Sequence, residues 1–151
     1  MPIPIKDYKT FRNMLIKGVI FRLAEFQFDE YSEKKPRWII ILNDSPPSHK
    51  SAKVYFLPVT KNIDYINKNT KVSGLICDKE LEEDSAFNLL AVRKKKAKSL
   101  YAQYLNNKVS FKGRLSKGNI DYLNRKINDF VNDPDLTIRW DKKQKKSIVK
   151  S

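Results

Sequence analysis

The sequence predicts an α+β fold that is mainly β: a small barrel-like sheet of five to seven short strands, with helices appended near both chain ends. Three observations predict it. Short β-branched and aromatic runs bounded by Gly, Pro, Asn, Asp and Ser recur between residues 19 and 112. Apolar residues at helical spacing are confined to 6–16, 94–105 and 117–131. The 151 residues, 40% of them hydrophobic, suffice for one core and are few for two. The expected organisation is one domain over residues 1–134 and a basic tail over 135–151.

Taken in order, Tyr8, Phe11 and Leu15 mark one face of a short helix, and Lys17-Gly18 supplies its stop. In the run from Val19 to Phe28, Phe21, Leu23, Phe26 and Phe28 are large and apolar, and their alternation slips near Ala24-Glu25. That slip predicts a strand with a bulge. Asp29 to Lys35 reads as a charged loop. Lys34-Lys35-Pro36-Arg37-Trp38 then leads into Ile39-Ile40-Ile41-Leu42, four consecutive aliphatics of which three are β-branched. Such a run predicts a strand buried on both faces, with Arg37 at its mouth. A charge held there requires a partner or a chemical use.

Asn43 to Ser51, with two adjacent prolines, predicts an irregular surface loop. Val54 to Thr60 is a third strand, in which Pro58 argues for an edge position or a bulge. Val72 to Cys77 is a short strand, with Cys77 read as a core residue, and Asp78 to Ser85 is an acidic turn. Ala86 to Val92 reads as a further strand. The basic run Arg93 to Lys98 opens an amphipathic helix whose stripe is Ala97, Leu100, Tyr101, Tyr104 and Leu105. Lys108 to Lys112 is a short strand. Ser116 is a candidate N-cap for a last helix with Ile120, Leu123, Ile127, Phe130 and Val131 on its apolar face.

Charge says more about partners than about fold. Lys and Arg number 31 against 17 Asp and Glu, a formal net charge of +14, so polyanions are the expected partners and nucleic acid leads them. Lys142, Lys143, Lys145, Lys146 and Lys150 crowd the last ten residues, as a phosphate-contacting arm would. No apolar run is long enough for a membrane span, and the first residues lack the pattern of a signal peptide, so a cytoplasmic location is expected. Cys77 is the single cysteine and His49 the single histidine. Disulfides, cysteine-rich zinc sites and histidine-pair catalysis are therefore excluded within one chain.

The order of elements carries a resemblance. Gly18-Val19-Ile20-Phe21 opens the first strand, a charged loop follows, Lys35-Pro36-Arg37 leads into a buried aliphatic strand, and Leu57-Pro58-Val59-Thr60 ends the next. Over residues 17–61 this resembles the MazF/PemK family of toxin endoribonucleases. The resemblance implies an SH3-like barrel, a homodimer, and metal- and cofactor-independent cleavage of single-stranded RNA (mRNA) to 2′,3′-cyclic phosphate and 5′-hydroxyl ends. It also implies inhibition by a cognate antitoxin protein. By the same resemblance Arg37 stabilises charge on the scissile phosphate and assists proton transfer, and Thr60 hydrogen-bonds a phosphate oxygen. Glu33, Lys35, Asn43, His49 and Lys61 are the candidate RNA contacts. The sequence departs from the family pattern at Val19, where an acidic residue is usual, at Trp38, which replaces a proline, and at Lys61, which replaces a serine.

Singly, each candidate has a simpler explanation. Arg37 could form an ion pair with Glu33 or Asp44, Thr60 could merely end a strand, Trp38 could be core rather than a stacking surface, and the 93–98 run could be a solvated face. Two other functions also fit the composition: a catalytically inactive nucleic-acid-binding module on the same barrel, and a basic scaffold for an acidic partner protein.

Overall fold

The computed structural model describes residues 7–26, 33–48, 52–61 and 72–132. His49 and the basic tail lie outside them. Asp7 caps the first helix α1 (Tyr8–Asn13) by accepting from the Lys9 N–H. Among the described residues seven strands follow: β1 (Val19–Phe26), β2 (Lys35–Ile41), β3 (Lys53–Thr60), β4 (Ser73–Ile76), β5 (Ser85–Asn88), β6 (Arg93–Lys96) and, after helix α2 (Ala97–Leu105), β7 (Val109–Arg114). The last helix is α3 (Lys117–Val131). The fold is α+β and mainly β, as the sequence predicts.

The strands form one antiparallel sheet in the order β4-β5-β3-β2-β1-β7, with β6 paired to β3 beside β5. The sheet is open rather than closed into a barrel: β4 and β7 end the main strand order, and among the described strands β6 pairs with β3 alone. The space between β4 and β7 is crossed by side chains instead of a ladder. Asp78, just beyond β4, accepts from the Ser116 N–H at 2.8 Å and from Asn119 Nδ2 at 2.9 Å, and Asn119 Nδ2 also donates to the Cys77 carbonyl.

Alternation along the central strands builds two cores, one on each face. Ile20, Ile40, Leu57 and Val59 pack with Phe87, Leu115, Leu123 and Phe130 beneath α3. Val19, Phe21, Leu23, Ile39, Ile41, Val54 and Phe56 pack with Phe11 and Leu15 of the N-terminal segment and Leu100 of α2 on the other face. Ile39, Ile40 and Ile41 are each 0% exposed, so β2 is buried on both faces as its sequence predicts. Gly18, at φ +94°, makes the reversal into β1, and Ile120 of α3 closes over it so tightly that a β-carbon there would clash.

Some local readings change. The β1–β2 register slips between Leu23 and Phe26, where the bulge is expected. β3, by contrast, is central rather than an edge. Its neighbour changes from β6, last paired at Phe56↔Arg93, to β5, first paired at Val59↔Phe87. Pro58 falls in that interval, where its missing N–H takes no ladder bond from that side. The 86–92 segment is not one strand, because a 3₁₀ turn at Leu89–Ala91 separates β5 from β6. Arg93 to Lys96 is therefore a strand and the helix starts at Ala97. A run of cations pairs with β3 there, and lysines on an exposed strand discourage further pairing. Val131 and Leu105 are exposed despite their helical spacing, at 56% and 52%, because each lies at the end of its helix beyond the sheet. Cys77 is exposed as well, being one residue past β4, and its bond to Asp84 raises the thiol pKa. This corrects its reading as core.

Asp78 yields a testable consequence. Partial burial pushes its carboxyl pKa up, but bonds from the Ser116 N–H, Asn119 and the Glu80 N–H outweigh that and leave it below its ordinary value. The unfolded chain therefore binds the proton more readily. The stabilisation is complete above pH about 4 and fades as pH falls through the lower folded value. Asp78→Asn should cost about 1 kcal/mol near neutrality in denaturant titrations, since solvent screens a carboxyl that is only partly buried, with the gap to the parent closing at strongly acidic pH.

Candidate functional site

Arg37 and Thr60 are 23 positions apart in sequence but meet through register. Trp38 pairs with Val59 across β2 and β3, and one step further along the same antiparallel register places Arg37 opposite Thr60. Side chains at such directly opposed positions have Cβ atoms about 5 Å apart. Both residues line a cleft of about 370 Å³ at the strand ends, together with Arg22, Pro36, Trp38, Val59, Lys61 and Ser85. Arg37 is half-buried and its Nε is shielded from solvent, whereas Thr60 is partly exposed.

The aromatic wall of the cleft is cationic. Lys61 Nζ lies 5.3 Å and Lys112 Nζ 5.6 Å from the Trp38 ring centroid. Trp38 itself is anchored, packing on the core beneath α3. Lys61 also lies 3.9 Å from Glu83, both side chains being substantially exposed, so that pair is worth at most about 1 kcal/mol. Among the described residues no histidine or carboxylate lines the cleft. No family model matches the chain, and no curated protein is detectably similar to it. The reading of this site therefore rests on its own geometry.

The other sequence candidates are scattered. Lys35 is the exposed first residue of β2, paired with Phe26, and Glu33 is exposed just before it. Neither lines the cleft. Asn43 is occupied elsewhere: its amide donates to the Lys53 carbonyl at 3.1 Å and accepts from the Tyr55 N–H at 2.8 Å, which extends the β2–β3 pairing by one side chain. His49 falls outside the described residues. Asp44, a possible partner for Arg37, instead pairs with Lys17.

Sequence reasoning missed Arg22 and Lys112. Arg22 lies between Phe21 and Leu23, so alternation alone turns it away from their core. The β1–β2 register then sets it beside Trp38. That signal was available in the alternation. Lys112 offered none, because its place depends on the register slip between β1 and β7 at Ile20/Phe21. Among the described residues no three His, Cys, Asp or Glu side chains converge as a metal site would require, and no helix is long and apolar enough to cross a membrane.

Proposed function

We propose that the cleft binds single-stranded RNA and cleaves it, in the manner of the MazF/PemK endoribonucleases that the 17–61 segment resembles. The observation that carries this reading is the convergence of Arg37 and Thr60 in one cationic cleft beside Trp38. In the reaction, the ribose 2′-oxygen bonds to phosphorus and the bond from phosphorus to the 5′-oxygen breaks. The 2′-hydroxyl loses its proton, the departing 5′-oxygen gains one, and a 2′,3′-cyclic phosphate and a 5′-hydroxyl result.

Negative charge accumulates on the non-bridging phosphoryl oxygens as this proceeds. The planar Arg37 guanidinium binds two such oxygens at once, which a lysine does not. Held on a rigid strand before the substrate arrives, it stabilises the charge without reorganising. The Thr60 hydroxyl donates to a phosphate oxygen and fixes the orientation of the group. Trp38 offers a surface for the adjoining base, and Lys61, Lys112 and Arg22 neutralise neighbouring phosphates. The proposed setting is cytoplasmic mRNA, with a homodimer held in check by an antitoxin protein whose acidic segment competes for the same cations.

A binding module without catalysis is the second reading, favoured by Lys61 and Lys112 over Trp38, since a cationic aromatic platform binds RNA with or without cutting it. Incubation with a mixed RNA pool in EDTA, followed by mapping of the ends, separates the two. Discrete cuts with cyclic-phosphate ends are expected. Binding without cuts would replace the enzyme by the module, and neither binding nor cuts would leave a basic scaffold protein.

A further inference from the structure

A second cationic surface lies at the opposite end of β3. The β3–β6 ladder sets Lys53 opposite Lys96 and Tyr55 opposite Lys94. Val54 and Phe56 face the core beside α1 and α2, so alternation turns Lys53 and Tyr55, with their partners Lys96 and Lys94, to the other face. Lys53, Lys96 and Tyr55 are exposed and Lys94 is half-buried. None of the three ion pairs found among the described residues involves these lysines. Two lysines directly opposite in a ladder repel each other, so this arrangement is unfavourable for the chain alone. It is relieved when an anion lies between them.

The strip is also held in shape. The Asn43 amide bonds both the Lys53 carbonyl and the Tyr55 N–H, and the Leu42 N–H donates to the Tyr55 carbonyl at 2.8 Å. An aromatic ring set among lysines on a rigid strand suits a single-stranded nucleic acid, whose phosphates take the cations and whose bases take the ring. An acidic peptide would use the lysines but leave Tyr55 without a role.

We propose that Lys53, Lys94, Lys96 and Tyr55 form a second binding site for the backbone of single-stranded RNA, remote from the cleft. The proposal takes its substrate class from the reading above. Lys53 and Thr60 are seven steps apart along the extended strand β3, about 23 Å. One RNA chain of a dozen nucleotides therefore reaches both places. The strip adds affinity and selects for longer substrates while taking no part in bond breaking.

The test uses a 12-nucleotide 2′-O-methyl RNA, which has no 2′-hydroxyl to attack and so reports binding whether or not the protein is a nuclease. The triple variant Lys53→Ser/Lys94→Ser/Lys96→Ser should bind it at least about tenfold more weakly, and the slope of log affinity against log salt should fall by about 2, near 0.7 for each lost phosphate contact. Tyr55→Ser should weaken binding while leaving that slope unchanged. Thermal melting of the triple variant should be no lower than that of the parent, since like charges have been removed. Parent-like RNA affinity in the folded triple variant would overturn the proposal. So would a loss confined to binding of poly-glutamate, which would make the strip a protein-docking surface. Arg37→Ala in the same assay keeps the strip's salt contribution, so a failure of the strip and a failure of the cleavage reading give different results.

Discussion

Arg37→Ala should reduce single-turnover RNA cleavage by at least about 10²-fold, the size of effect seen when one donor to a developing oxyanion is removed. RNA binding should weaken by less than tenfold, because one phosphate contact among several is lost. The split follows from the geometry. Arg37 lies opposite Thr60 at the open end of the β2–β3 pair, whereas on the proposed reading Arg22, Lys61 and Lys112 would still hold the backbone around Trp38. Arg37→Lys should lose nearly as much cleavage, since a single ammonium reproduces the charge but not the planar fork. That variant also guards against a folding artefact. Arg37 is half-buried, so its removal could also disturb the start of β2. Melting temperatures of both variants close to the parent's, with cleavage lost in both, would locate the effect in the chemistry.

Ile39→Ala and Ile40→Ala should each destabilise the fold by about 2–5 kcal/mol in chemical denaturation. Neighbouring residues on a strand point to opposite faces, and a strand with one wet face would show a large cost at one position and a small one at the other. Here Ile39 packs against the core beside α1 and α2, and Ile40 against the core beneath α3, both 0% exposed. Equal, large losses are the signature of a strand sandwiched between two layers. Because β2 carries Arg37 and Trp38 at its open end, this double burial is also what keeps the cleft rigid. A loss below about 1 kcal/mol at either position would contradict the two-core architecture, since filling or collapse of such a cavity is never free in a close-packed interior.

What was legible in the sequence was local. Four aliphatics in a row announced β2, the slipped alternation announced the β1 bulge, and Gly18 announced the reversal between α1 and β1, because each depends on residues a few positions apart. What was illegible depended on pairing at a distance. Arg93 to Lys96 has the composition of a helix start, yet β3 recruits it as a strand, tertiary pairing overriding local preference. Pro58 in a central strand makes sense only once β3 is seen to change partners beside it. The way the gap between β4 and β7 is bridged was equally hidden, resting on Asp78 bonding Ser116 and Asn119 some forty positions away. At the site, the pairing of Arg37 with Thr60 was suggested by resemblance and follows physically from the β2–β3 register. Lys112 could not have been found without the β1–β7 register. Asn43 illustrates the converse: a polar loop residue that looked free for a ligand is taken up by the backbone of β3.

The central claim is that Arg37 and Thr60 act together on one phosphate. The most direct measurement is a double-mutant cycle on single-turnover cleavage with Arg37→Ala, Thr60→Val and the double variant, all at saturating protein. Groups that stabilise the same transition state are non-additive, so the double variant should cleave no more slowly than Arg37→Ala alone within about threefold. Undiminished cleavage by Arg37→Ala, or losses that simply multiply in the double variant, would contradict a shared site.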